Sequence, residues 1–288
     1  MKTGLYHFIV LFIVIVWGTT FVSTKILLLY DLSPSSIFFY RFMLAYIGIW
    51  IFGSKRLFSE NIKDEFLFML AGITGGSVYF MAENTALNIT LVSNVSFLVS
   101  TAPIITAILT HLLSGKEKIN RYVWIGSLMA IVGVALVAFN GKFILKINPM
   151  GDILCLIAAL SWSFYTILLK RFENKYTTSF ITRKVFFYGI VTLLPVSISG
   201  SLFSNLSVFA QPAIIFNIIY LGVVASLLCY FLWNLSVKKL GAVRTSNYIY
   251  MIPLVTLLTS IIVIDENITI VALAGAVMIL AGVILAER

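Results

Sequence analysis

The chain has 288 residues, 60% of them hydrophobic and 11% charged, against about 45–50% and about 25% in soluble domains, which excludes a soluble globule. A net charge of +9 raises nucleic acid as a partner through phosphate contacts. The basic residues fall instead in alternate loops, and no basic stripe with interleaved aromatics lies outside the apolar segments, so no nucleic-acid partner is expected.

At the N-terminus, Lys2 precedes an apolar run over residues 5–29. It resembles a signal peptide but is too long, and no small-x-small cleavage site follows, so it reads as a retained first helix. Further apolar runs of about 17 to 25 residues cover 35–52, 66–86, 92–113 and 122–139, and after a short linker at 141–150 they cover 153–169, 180–200, 214–235, 242–264 and 268–286. Each is long enough to cross a hydrocarbon core of roughly 30 Å, and backbone amides in lipid are satisfied within a helix. The expected fold is an all-α membrane protein with ten transmembrane helices in a multi-pass cell (inner or plasma) membrane location, with the lipid bilayer as a partner. In the seventh segment Arg183 and Lys184 leave a clean apolar run only over 185–198, and its loss would flip everything after it.

With the N-terminus inside, the inner loops hold Lys55, Arg56, Lys63, Lys116, Lys118, Arg121, Lys170, Arg171, Lys175, Lys238 and Lys239, while the outer loops hold Lys142 and Lys146. This bias puts both termini in the cytoplasm and requires an even number of spans. Cys155 and Cys229 lie in apolar segments without CxxC spacing or companion histidines; they read as packing residues, with no metal or cofactor site.

The ten segments repeat. GSLMAIVGV from Gly126 matches GAVMILAGV from Gly275, and Glu117 then falls against Glu266. Trp17 and Lys25 match Trp162 and Lys170, and Asn84 and Pro103 match Asn234 and Pro253 at equal separation. The expected division is a first five-helix repeat at 1–140, the linker, and a second repeat at 151–288. An odd number of spans per repeat makes the two inverted, an architecture that in secondary transporters surrounds a midplane site and gives alternating access.

These residues resemble the drug/metabolite transporter superfamily and, within it, the EamA-type permeases. The resemblance rests on the tryptophan of WGTTF and its partner in SWSFY, on Pro103 and Pro253 in the fourth helix of each half, and on the Glu and then Gly-x6-Gly closing each half. It covers essentially the whole chain. It implies a carrier, often an exporter, of small metabolites such as amino acids, with a central cavity lined by the first, third and fourth helices of each half. The first rival is a carrier for drug-like or nucleotide- or sugar-linked solutes. From another class, the rivals are an intramembrane enzyme, for which no nucleophile or metal constellation is found, and a structural membrane subunit, which would not need polar clusters in both halves.

Candidate binding residues follow from polar or aromatic side chains in apolar helices. Trp17, Thr20 and Thr24 share one face of the first helix, and Trp162 and Tyr165 are offered by its counterpart. Both tryptophans sit near mid-membrane, where cavity lining competes with plain helix packing through a bonded indole N–H. Glu83, with Tyr79 and Gly76 on its face, is costly against lipid, and three roles are open to it: pairing with a cationic substrate group, carrying a coupling proton, or pairing with Arg41 or Lys25. Arg41 itself reads first as a structural pair and second as a substrate contact. Asn84, Asn94 and Phe97, with Thr101, and then Tyr230, Trp233 and Asn234, and Arg244, Asn247, Tyr248 and Met251 complete the set; interhelical hydrogen bonding is the alternative for each asparagine. Pro103 and Pro253 each free a carbonyl one turn back, as a static kink or a gating hinge.

Overall fold

The computed structural model describes residues 3–53, 56–114, 120–139, 148–172, 174–199, 206–264 and 269–286. All regular structure among them is helical. In chain order the principal helices are α1 Thr3–Leu29, α2 Pro34–Phe52, α3 Ile62–Ile89, α4 Val92–Leu113, α5 Arg121–Phe139, α6 Pro149–Phe172, α7 Thr178–Ser199, α8 Pro212–Leu240, α9 over residues 242–264, and α10 Ile270–Ala286. Seven of them, α1 to α4 and α6 to α8, are long and apolar enough to cross a membrane, while α5 and α10 contain shorter apolar helices.

Several helices outrun their apolar windows. The third begins at Ile62 rather than at 66, because Asn61 caps it by accepting from the Asp64 amide at 2.8 Å and Asp64 and Glu65 favour its first turn. The sixth begins at Pro149, so the last residues of the expected linker are its first turn, a position that suits proline. Residues 141–147 of that linker, together with Glu117 and Glu266, lie outside the described residues. The eighth helix runs on to Leu240 and stops at Gly241, whose φ of 91° an L side chain rarely adopts.

The seventh helix is intact despite its two cations. Arg183 lies over the Trp50 ring at 4.6 Å, and Lys184 pairs with Glu65, which also accepts from Tyr188. Beside them Lys175, in the link from α6 to α7, pairs with Asp64, which accepts from Tyr176 at 2.6 Å. The Asp64 carboxylate holds the Lys175 ammonium above its usual range. Under these polar contacts Phe68 stacks on Phe172 at 4.0 Å, so one end of α3 is clipped to α6 and α7.

Packing is reciprocal. Helix α3 lies along α6 and α7, and α8 lies along α1 and α2; α4 meets α6 as α9 meets α1. Small residues permit the closest approaches. A Cβ at Gly72 would overlap Tyr188 of α7, and one at Gly222 would overlap Leu44 of α2. Gly18 meets the Ile252 carbonyl, and Ser163, at the matching place in α6, donates to the Ala102 carbonyl at 2.9 Å. Helices α5 and α10 run antiparallel, Gly126 against Gly282 and Gly133 against Gly275.

Candidate functional site

Two helices lose their regular winding where they pass the middle of the bundle. Helix α3 widens to a π-helix at Ile73–Ser77 and α8 at Tyr220–Leu228. A π stretch carries backbone groups out of the usual i to i−4 ladder, so they can bond elsewhere. Here they do: Gly75 O accepts from the Tyr230 hydroxyl at 2.6 Å, and Ala225 O accepts from Trp17 Nε1 at 3.0 Å. The adjoining turns of α3 and α8 then aim Tyr79, Phe80, Glu83 and Tyr230 into one space.

That space is a cavity of about 30 Å³, lined by Trp17, Thr20 and Phe21 of α1, Arg41 of α2, Tyr79, Phe80 and Glu83 of α3, Val99 and Ala102 of α4, Trp162 of α6, Tyr230 of α8, and Ile249 and Ile252 of α9. It is wide enough for about two water molecules. Its walls are aromatic: Trp17 meets Trp162 edge-on at 5.1 Å, and Trp162 meets Tyr79 at 5.1 Å and Tyr230 at 5.5 Å. Behind them Trp233 packs on Trp17 at 5.0 Å.

Two opposite charges stand in this wall. Arg41 is 2% exposed and Glu83 is 6% exposed. Arg41 Nε donates to Ser226 Oγ at 2.9 Å, and its guanidinium carbon lies 4.2 Å from the centre of the Phe80 ring. Glu83 Oε1 accepts from the Tyr79 hydroxyl at 2.9 Å. Arg41 and Glu83 interact through space, but no ion pair within 4.0 Å joins them among the described residues. Lys25, the other cation considered for Glu83, instead donates to Leu87 O at 2.7 Å. Charges this buried, and not tied directly to each other, leave polar capacity facing the cavity.

Of the residues singled out by sequence, Trp17, Thr20, Tyr79, Glu83, Trp162 and Tyr230 share the wall. Tyr165 and Asn234 do not: the Tyr165 hydroxyl donates to Asn234 Oδ1 at 2.5 Å and Asn234 Nδ2 to Thr182 at 2.9 Å, which ties α6, α7 and α8 together. Asn84 Nδ2 donates to Pro34 O at 3.1 Å and so fixes α3 to the start of α2. Asn94 and Phe97 are half-buried on α4 outside the lining, and Met251 is half-buried on α9. Arg244 is exposed, Tyr248 bonds His7 Nδ1 at 2.6 Å, and Asn247 is fully buried with neither amide atom hydrogen-bonded among the described residues. Pro103 follows a break at residues 100–101 of α4, and Pro253 follows a 3-10 stretch, Tyr248–Met251, in α9.

Arg41, read from sequence first as a structural pair, has structural partners in Ser226 and Phe80 and also lines the cavity, which adds the second helix to those expected in its wall. Phe80 was not singled out, although it stands at the position matching Tyr230. Nor were Val99, Ala102, Ile249 and Ile252, whose only signal was nearness to the two prolines. A larger groove of about 630 Å³ opens between α2, α7 and α8, but its lining is apolar apart from Thr177, Thr178 and Ser179 and carries no charge.

A family model for EamA-like transporters matches residues 4–139 and again 149–287. An uncharacterized transporter of Archaeoglobus fulgidus is 24% identical over 97% of this chain and 96% of its own. The uncharacterized transporter YyaM of Bacillus subtilis is 29% identical over 94% of this chain and 89% of its own. A protein of Escherichia coli named as a probable amino-acid metabolite efflux pump is 23% identical over 94% and 91%. A solved crystal structure superposes with a TM-score of 0.73, covering 99% of this chain and 96% of its own at 15% identity, a likeness of fold.

Proposed function

Since the chain belongs to the EamA-like transporter family, and is therefore a multi-pass membrane protein, we propose that it exports a small zwitterionic metabolite of amino-acid type. The observation that carries this reading is the pair Arg41 and Glu83, buried in one aromatic-walled cavity without a direct ion pair. A guanidinium fork suits a carboxylate, and a carboxylate beside aromatic faces suits an ammonium group. A solute carrying both groups satisfies both charges at once, whereas a singly charged solute leaves one of them buried and unmet. The relative named as an amino-acid metabolite efflux pump supports the same class and the outward direction.

The mechanism we infer is alternating access between two inverted five-helix halves, residues 1–140 and 151–288 joined by a linker, with ten spans and both termini cytoplasmic. Three features support it. The family model matches twice. The contacts are reciprocal, α3 on α7 and α8 on α2, and the glycines of α5 and α10 exchange places under the repeat. Both π stretches, and both breaks before a proline, stand at matching positions. At about 30 Å³ the cavity holds about two waters, so loading a metabolite requires its walls to part, and the breaks in α4 and α9 are where backbone hydrogen bonding resists that least.

Reconstitution into vesicles with a panel of amino acids, sugars and nucleosides, with and without a pH gradient, tests the reading. Counterflow of amino acids is expected. Counterflow of sugars or nucleosides alone moves the protein to another substrate class, and none for any solute rejects a carrier. A reporter fused after Arg288 is expected to read as cytoplasmic.

A further inference from the structure

Trp17 and Trp162 are the matching tryptophans of the two halves, yet their indole N–H groups fare differently. Trp17 Nε1 donates to Ala225 O, in the π stretch of α8. The spacing that relates Asn84 to Asn234 also relates Gly75 to Ala225 and Phe80 to Tyr230. Gly75 lies in the π stretch of α3, and its carbonyl is therefore the acceptor that Trp162 would use by analogy. The Tyr230 hydroxyl occupies that carbonyl instead. Phe80, at the matching place, has no hydroxyl and leaves Ala225 O open to Trp17. A single oxygen atom thus breaks the equivalence of the two halves.

The consequence is a spare donor. Trp162 is 4% exposed and lines the cavity, and its Nε1 is buried with no hydrogen-bond partner among the described residues. Native proteins keep few such groups without a role. Trp233 Nε1 shares the condition but is not part of the cavity wall. In the same wall Arg41 uses Nε on Ser226, and its terminal nitrogens carry no hydrogen bond among the described residues. A carboxylate has two oxygens and accepts only, so it can take a guanidinium N–H on one and an indole N–H on the other.

We propose that Trp162 Nε1 and the Arg41 guanidinium together bind the substrate's carboxylate, and that Tyr230 is the positioning residue that keeps the Trp162 donor free by holding Gly75 O. This rests on the zwitterion reading above. Glu83, oriented through Oε1 by Tyr79, takes the ammonium group of the same solute. The site distinguishes an amino acid from an amine of the same skeleton, because only the amino acid meets the spare indole. Tyr230→Phe removes the competing hydroxyl, lets Trp162 bond Gly75 O as Trp17 bonds Ala225 O, and so withdraws the donor without altering any charge.

The test uses the full chain in detergent micelles with 15N-labelled tryptophan, the proteinogenic L-amino acids as probes, and titration calorimetry for affinity. Trp162→Phe and Trp17→Phe assign the two indole N–H signals. In the wild type, a saturating amino acid is expected to shift the Trp162 N–H signal downfield. In Tyr230→Phe that signal is already shifted without ligand, the Trp17 signal is unmoved, and affinity falls about ten- to a hundredfold, the worth of one hydrogen bond to a charged group. If an amino acid binds and the Trp162 signal does not move, or Tyr230→Phe binds it as the wild type does, the clamp is wrong and the carrier reading stands. If no amino acid binds the wild type, the zwitterion reading falls and the clamp with it. Should Tyr230→Phe lose its fold, as the Trp17 signal would report, the ligand-induced shift in the wild type decides alone.

Discussion

Gly133 of α5 meets the Gly275 carbonyl of α10, and the contact is returned by Gly275 on the Gly133 carbonyl. Neither backbone could approach so closely past a side chain. The doubled Gly-x6-Gly is therefore the seam on which these two helices pack rather than part of a binding site. Gly133→Leu is expected to destabilise the protein by about 1–3 kcal/mol, the usual cost of overpacking, since the neighbouring atom is backbone and cannot move aside. Gly4→Leu, with nothing near its Cβ, is expected to leave the thermal midpoint in detergent unchanged. Equal midpoints for the two variants would remove the seam from the argument.

The sequence made the helices legible because lipid imposes length and apolarity on them, and it made the repeat legible because glycine, proline and tryptophan have few substitutes in such helices. Half of the cavity wall was legible for a related reason: Glu83 and the two matching tryptophans stand out in apolar sequence. Arg41 was visible too, with Glu83 as a candidate partner, but whether an arginine meets a carboxylate, a hydroxyl or a cavity is decided by helix rotation. The π stretches were invisible, because a widened turn leaves no mark in composition. They free the Gly75 and Ala225 carbonyls, which accept from Tyr230 and Trp17 in the cavity wall. Lys184 interrupts the apolar run of α7, and the carboxylate that offsets it, Glu65, lies far away in sequence.

Two of the ion pairs in the clip at one end of α3 are of unequal worth. Lys175 and Asp64 have side chains 36% and 16% exposed, and Lys184 and Glu65 have side chains 5% and 23% exposed. Solvent screens the first pair, so Asp64→Asn is expected to cost less than about 1 kcal/mol. Glu65→Gln leaves the Lys184 ammonium buried among aromatic rings without a counter-charge and is expected to cost about 1–3 kcal/mol. Chemical or thermal unfolding of both variants in one detergent checks the ranking, and a larger loss for Asp64→Asn contradicts it.

Arg41→Lys retains the charge near Glu83 but loses the planar fork that reaches Ser226 and faces the cavity at once. The expected result is a fold close to wild type in stability and an affinity for amino acids about tenfold lower, which titration calorimetry reads directly. An unchanged affinity would return Arg41 to a purely structural part.

The Tyr248–Met251 stretch and Pro253 interrupt α9 where two of its residues, Ile249 and Ile252, line the cavity. If this interruption is where the wall parts, Pro253→Ala restores a backbone N–H, favours a continuous helix, and slows the conformational step rather than binding. Counterflow in vesicles is expected to slow several-fold at unchanged equilibrium affinity. A fall in both together would mark a change in the cavity itself and would not support a hinge.

The proposal that Glu83 takes the substrate's ammonium group makes it the carboxylate at which to test proton coupling, because the two uses would compete for one group. If Glu83 serves both uses, a substrate ammonium there displaces a proton or keeps it off, and in the empty site the same carboxylate carries a proton back across the bilayer. Burial beside Trp162 and Tyr79 makes an empty, charged Glu83 costly, which favours loading by one cation or the other before the walls close. Glu83→Gln keeps the hydrogen bond to Tyr79 but cannot ionise. It is expected to abolish the response of transport to a pH gradient imposed across reconstituted vesicles and to lower amino-acid affinity at least tenfold through loss of the charge-assisted contact. A variant that binds more weakly but still follows the pH gradient would leave Glu83 as the ammonium site and place coupling elsewhere.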